Sequence, residues 1–307
     1  MATGARTFAP TSANAGPPWS PGNPGDAPTG VESTVPPVTT AHADRWRVAP
    51  GAAVDLAARD PRQADGIAGK DEAMAALPEL HDRLRQLQER LWADQRQSLL
   101  VVMQAIDAGG KDGAIKHLFH GLNPAGAHVV SFKAPSEDEL AHDFLWRIHG
   151  HTPGKGELTI FNRSHYEDVL VVRVKHLVPE TVWRPRYKLI NHFEAHLAAS
   201  GTRIVKLFLH ISKDEQAERF RARLADPTKC WKFRVGDLAD REQWDSYQHA
   251  FEEAIARTST EPAPWYIVPA DRKWYRNWAV SRILVETLEH MDPQYPPCED
   301  VTGVTIG

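Results

Sequence analysis

The run Val101-Val102-Met103-Gln104-Ala105-Ile106 leads directly into Asp107-Ala108-Gly109-Gly110-Lys111-Asp112-Gly113. Few folds accommodate that order. A buried strand, a glycine-rich turn, a lysine and a helix start make a cradle in which backbone N–H groups meet anionic oxygens. Asp107 and Asp112 complicate it, because bare carboxylates repel a phosphate; their presence implies a divalent cation in between. A plainer alternative is a Gly-Gly turn that ends a strand, with Lys111 in solvent. The fit to G-x-x-x-x-G-K-[ST] is partial: Ala105 holds the first position, and Asp112 stands where a magnesium-touching hydroxyl is usual. Another residue must then hold the metal.

The pattern on either side is that of an α/β protein. Leu77, Leu80, Leu84, Leu87 and Leu91 form an amphipathic helical stripe ahead of the loop. Strands are expected at 98–104, 127–133, 158–161, 203–211 and 265–268. Helices are expected from about 112 and at 165–174, 185–199, 213–224, 242–257 and 273–289. Ser136 with Glu139 three residues on marks a capping box that opens a further helix. Apolar strands alternating with helices predict a five-stranded, mostly parallel sheet covered on both faces. Ligands of such sheets sit at the carboxyl ends of the strands.

Those ends carry Asp107 to Lys111, then Lys133, then Asn162-Arg163 with Glu167, then Lys213, and finally Asp271 to Lys273. Any one alone reads as a helix cap or a solvated lysine. Together they predict an anion site at one rim.

Lys and Arg number 36 against 40 Asp and Glu, a formal net charge of −4. A polyanion site must therefore be local, which disfavours a nucleic-acid groove. Two cysteines, Cys230 and Cys298, form no disulfide framework and fit a reducing cytoplasm. No apolar run reaches the length of a membrane span. Residues 1–45 are rich in Pro and Gly and read as a disordered or irregular tail, as does 292–307. Residues 46–291 read as one domain.

Two basic clusters complete the pattern. Arg173, Lys175, His176, Arg184, Arg186 and Lys188 form one; Arg219, Arg221, Arg223, Lys229, Lys232 and Arg234, around Trp231 and Phe233, form the other. The second is broken by Pro227 and Gly236 and suits a lid, about 226–240, that closes on an anion. Solvated helix faces explain a share of these charges equally well.

At this point the chain resembles the polyphosphate kinase 2 family. The resemblance rests on Asp107-Ala108-Gly109-Gly110-Lys111-Asp112-Gly113, Gly121-Leu122-Asn123-Pro124 and Ser131-Phe132-Lys133-Ala134-Pro135. Further on come Phe161-Asn162-Arg163-Ser164-His165-Tyr166-Glu167-Asp168, Trp183-Arg184-Pro185-Arg186-Tyr187, Phe208-Leu209-His210-Ile211-Ser212-Lys213 and Trp231-Lys232-Phe233. Trp265 through Asn277 closes the set, which spans about 44 to 291.

The resemblance implies a P-loop kinase fold like that of thymidylate kinase, in three α/β/α layers with a helical lid. It implies Mg2+-dependent phosphoryl transfer from inorganic polyphosphate to AMP and ADP, giving ADP and ATP, with Mn2+ as a substitute metal. Guanine nucleotides as further acceptors and a homo-oligomeric state follow from it as well. Asp107 with Glu167 would hold the metal. Gly109, Gly110, Lys111, Gly113, Lys133, Arg163 and Arg173 would bind phosphate, with Lys229, Lys232 and Arg234 from the lid. Asp107, Lys111 and Arg163 would be catalytic. Asn162 stands where many members have aspartate, and with Glu167 it resembles the class III variant that accepts both AMP and ADP.

An acceptor phosphate is already ionised near neutral pH, so the transfer needs alignment and charge neutralisation rather than a general base. That accords with fifteen histidines but no Ser-His-Asp arrangement. An ATP-dependent nucleoside monophosphate kinase and a non-catalytic polyanion-binding protein are the competing readings. The first would favour a Ser or Thr after Lys111, which is absent.

Overall fold

Strand β2 (Ser98–Gln104) is buried along its whole length, as is β5 (Thr202–His210), so the sheet is built outward from this pair. In this computed structural model the structure describes residues 42–300, 302 and 304–306. The remaining strands are β1 (Arg47–Val48), β3 (Ala127–Ser131), β4 (Leu158–Asn162) and β6 (Trp265–Pro269). They run in the order β1-β6-β5-β2-β4-β3. Val101 lies between Ile160 of β4 and Val205 of β5. Every pairing among β2 to β6 is parallel, which brings their five carboxyl ends to one rim. β3 forms one edge and exposes His128, Val129 and Ser131.

The sheet has six strands where the sequence predicts five. β1 pairs antiparallel with β6, Arg47 opposite Tyr266 and Val48 opposite Trp265. Two residues carry no periodicity, so this strand is specified by its partner and not by its own pattern. The expected 1–45 tail boundary also moves. Ala43–Arg45 form a 3-10 turn in which the Ala43 N–H donates to Glu286, 3.1 Å away, and Trp46 behind it is buried. Residues 1–41 of that expected tail lie outside the described residues. Residues 293–300 carry no helix or strand.

Six helices of eight residues or more flank the sheet: α1 (Lys70–Asp94), α2 (Lys111–Leu118), α3 (Arg186–Ala199), α4 (Lys213–Ala225), α5 (Trp244–Thr258) and α6 (Lys273–Met291). The leucine stripe of α1 is buried, and α1 packs on α6. These stripe leucines, and Trp278 of α6, are therefore core. The capping box at Ser136 is formed, with Ser136 and Glu139 each receiving the other's backbone N–H. The expected helix at 165–174 is instead a 3-10 turn, His165–Asp168, followed by one helical turn, Val171–Val174. Ser164, His165 and Tyr166 are all fully buried. Three consecutive buried residues cannot share one face of a surface α-helix, so the chain tightens there. No helix among the described residues is long and apolar enough to cross a membrane.

Candidate active site at the sheet rim

The loop that leaves β2 is shaped by backbone geometry that only small residues tolerate. Gly110 has φ +98° and Ala108 +60°. At Gly109 an added Cβ would lie 2.4 Å from the Ala105 Cβ and 2.7 Å from the Ile106 carbonyl oxygen, closer than real contacts allow. Gly113 faces the Arg276 guanidinium, where a Cβ would sit 3.4 Å away. The loop's carbonyls are gripped from below. Gln216 Nε2 donates to the Asp107 carbonyl (2.9 Å), Arg219 Nη1 to that of Ala108 (2.9 Å) and Arg276 Nη1 to that of Gly110 (3.2 Å). With its carbonyls turned down, the loop presents N–H groups and the N-terminus of α2 to the rim. The Lys111 ammonium donates to the Ala105 carbonyl at 2.7 Å. Burial, and then Arg163 nearby, push it below its ordinary pKa against the pull of Asp107, Glu167 and Asp112.

The end of β4 supplies the facing wall. Arg163 holds φ +64°, a strained region for a branched or long side chain, and its N–H donates to the Met103 carbonyl. Its guanidinium reaches Asp107 Oδ1 at 3.1 Å. Glu167 follows in the 3-10 turn. Burial raises its carboxyl, and Asp107 adds to that, while Arg163 and Lys111 oppose it. Asp112, at the first turn of α2, receives Asn162 Nδ2 at 3.1 Å and Lys232 Nζ at 3.0 Å. Partial burial works against its ionisation, but these two donors hold it below the ordinary carboxylate range. Tyr247 of α5 closes the wall: burial and then Asp240, Asp107 and Glu167 push its phenol up, so it stays a neutral donor. Loop N–H groups, three cations (Lys111, Arg163 and Lys232) and three carboxylates (Asp107, Asp112 and Glu167) thus converge on one rim, a composition suited to an anion.

A family model described as Polyphosphate kinase 2 matches residues 68–296. The chain belongs to the polyphosphate kinase 2 family. It is 57% identical over 256 residues to an "AMP/ADP-polyphosphate phosphotransferase" from Meiothermus ruber, covering 83% of this chain and 96% of that one. It is 44% identical to an "ADP-polyphosphate phosphotransferase" from Rhodopseudomonas palustris, with 82% and 91% covered. Among solved structures it is similar to polyphosphate kinase 2 from Arthrobacter aurescens TC1, with a TM-score of 0.81 and 41% identity over 86% of this chain and 94% of that one. The P-loop kinase fold expected for the family is the fold observed.

Within this polyphosphate kinase 2 chain the expected site residues divide into three groups. Asp107, Gly109, Gly110, Lys111, Gly113, Asn162, Arg163 and Glu167 share the rim. Lys232 joins them from the lid, a 3-10 turn at Cys230–Lys232 followed by a helix at Gly236–Glu242. Lys133 follows β3 at the sheet edge with its ammonium exposed, and Arg234 is exposed in the lid. Lys229 is engaged locally by Asp226. Arg173 stands apart from the loop: it binds Glu253 at 2.5 Å and lies over the Trp183 ring, 4.8 Å from its centre. Three more of that first cluster are neutralised in the same way, Lys175 by Asp240, Arg184 by Glu180 and Glu253, and Arg186 by Asp168.

Sequence reasoning missed Arg276, Gln216 and Tyr247, and it placed Arg219 with the lid. Arg219 instead spans the Ala108 and Ala270 carbonyls beneath the loop. A signal existed for Arg276: it is a cation on the first turn of the helix that leaves a strand end, amid the buried Tyr275, Trp278 and Ala279.

Proposed function

We propose that this chain transfers the terminal phosphoryl group of inorganic polyphosphate to AMP and ADP, giving ADP and ATP. The observation that carries this reading is the convergence of the Gly109-Gly110 loop, Lys111, Arg163 and the lid's Lys232 at one rim of a family-typical sheet. Names of similar proteins that act on AMP, ADP and polyphosphate support it. An attacking nucleotide phosphate needs no base; it needs alignment in line with the donor phosphorus. Loop N–H groups would bind the donor's non-bridging oxygens. Lys111 and Arg163 would neutralise the transferring group, and Lys232 would exchange Asp112 for the chain.

The residues present fit Mg2+. Asp107 and Glu167 are two oxygen donors; burial first, with Asp107 adding to it, raises the Glu167 carboxyl, and a cation beside it relieves that cost. Magnesium is held by one or two carboxylates together with substrate phosphates, a small protein donor set of this kind. Bound there, it would supply charge stabilisation to the phosphate oxygens. Asn162 and Glu167 support acceptance of both AMP and ADP. Guanine nucleotides, Mn2+ substitution, self-association and a cytoplasmic location belong to the same reading. The free Cys230 and Cys298 are consistent with the last.

Incubation of the protein with AMP, polyphosphate and Mg2+, without ATP, tests the proposal. ADP and then ATP should accumulate, chelation should stop the reaction, and Asp107→Asn should lower turnover about a hundredfold or more. Transfer that requires added ATP as donor would overturn it.

A further inference from the structure

The turn that carries Arg163 and Glu167 is anchored from behind by charged and polar groups in the middle of the core. Lys206, on β5, is fully buried, and each of its three ammonium protons has an acceptor. These are Glu194 of α3 (2.5 Å), the Thr258 carbonyl of α5 (2.6 Å) and the Tyr166 hydroxyl (2.9 Å). The Tyr166 O–H donates to Glu194 Oε1 at 2.8 Å, and His165 Nε2 lies 3.3 Å from the same oxygen. Trp265 Nε1 donates to Thr258 Oγ1, so β6 joins the cluster. Tyr166 and Trp265 rings each stand 5.4 Å from the ammonium.

Stability alone does not account for such a group. A buried ion pair gives up the hydration of both ions, and apolar residues of similar volume do as well or better in its place. What the pair does hold is a strained segment. Arg163, at φ +64°, sits outside the core beside Glu167, while Ser164, His165 and Tyr166 between them are fully buried. Ser164 Oγ accepts the Tyr166 N–H and Gln104 Nε2, which pins the inner side of the turn to β2. Backbone strain persists only where the surroundings over-determine it.

We infer that the Lys206–Glu194 pair, acting through the Tyr166 hydroxyl, is a positioning device that sets Arg163 and Glu167 against the phosphate loop. This rests on the phosphotransfer reading above. Neither Lys206 nor Glu194 reaches the rim. They act through the turn, and any placement error there passes to the guanidinium and carboxylate at its ends.

Tyr166→Phe removes the hydroxyl and keeps the ring. It should fold and lower kcat about tenfold or more, since small misplacements of charged groups have effects of that order, while KM for polyphosphate and nucleotide stays within about twofold. Amide hydrogen exchange across 162–169 should quicken with the exchange of β2 and β5 unchanged. Lys206→Met alone deprives the buried Glu194 of its ammonium partner and is expected to lower the melting temperature. The charge-free double variant Lys206→Met/Glu194→Gln should restore melting but not kcat. A double variant that recovers both, or a Tyr166→Phe protein with wild-type kcat and wild-type exchange at 162–169, overturns the inference. If the unmodified protein transfers nothing from polyphosphate, the functional reading fails instead, and the exchange contrast still decides the positioning role.

Discussion

The floor of the candidate site and its lid both present cationic groups to the rim, with opposite construction. In the floor, the carbonyls of Asp107, Ala108 and Gly110 are each taken by a different side chain, from Gln216, Arg219 and Arg276, and an added methyl at Gly109 has no space. In the lid, Trp231 is 73% exposed and Val235 81%. Segment 226–235 reaches the body of the protein through the Lys232–Asp112 pair and an edge contact between Phe233 and Phe220. A rigid floor keeps donors aimed where charge accumulates, with no reorganisation during transfer. A lid held by exchangeable contacts can open for substrate and close on it. The difference predicts that damage to the floor appears in kcat and melting, and damage to the lid in KM.

The largest effect should come from Gly109→Ala. The new Cβ would meet Ala105 and the Ile106 backbone, neither of which is a flexible chain end, so the loop must shift. A displacement of about 1 Å at reacting groups can lower rate roughly a hundredfold. Overpacking of this kind destabilises by about 1–3 kcal/mol. Steady-state turnover and scanning calorimetry should therefore fall together, and near wild-type kcat would show that the floor is not rigid. Lys232→Met should do less and do it differently. Loss of one charged contact to the polyphosphate chain corresponds to about 1.5–3 kcal/mol, roughly a tenfold or greater rise in KM. Melting should stay put, because the exposed pair with Asp112 adds little. A hundredfold drop in kcat at unchanged KM would instead assign Lys232 to the floor.

The same contrast explains what could be read from the sequence. The loop, the five parallel strands and the Asn162-Arg163 wall follow from local patterns: an apolar run, glycines before a lysine, polar residues at strand ends. The gripping residues do not. Arg219 and Gln216 lie on a helix that sequence alone leaves facing solvent, and their targets are loop carbonyls, 111 and 109 residues away in the chain. The first basic cluster misled for the same reason. Arg173 finds Glu253, 80 residues on, and Lys175 finds Asp240, 65 residues on. Periodicity tells which face of a helix is polar, not which partner that face will meet. β1 was invisible because a two-residue strand exists only through its neighbour.

Acid should separate floor from lid once more, with the smallest effect of the three. Helix α2 runs down from the loop, and near its end His117 Nε2 lies 2.9 Å from His81 Nε2 on α1 and 3.3 Å from Ser281 Oγ on α6. Burial first, then His81, Arg276 and His120, lower the His117 pKa to about 4. His81 is lowered too, by burial and His120, with Asp82 opposing. The folded protein therefore binds these protons less tightly than the unfolded chain, whose imidazoles titrate near their ordinary value of about 6.5. Stability from this pair is fully present above that value and is lost as pH falls toward about 4. Segment 226–235 of the lid carries no histidine, and Lys229 with Thr228 holds its one carboxyl, Asp226, at about 2, outside that window. Denaturant midpoints measured between pH 7 and 4.5 should decline in the wild type and decline less in His81→Asn/His117→Asn. Hydrogen exchange across 226–235, corrected for intrinsic rate, should not change over the same range. If the double variant shows the wild-type slope, the imidazole pair does not govern the floor's acid sensitivity, and the two regions do not differ in the way their titrating groups imply.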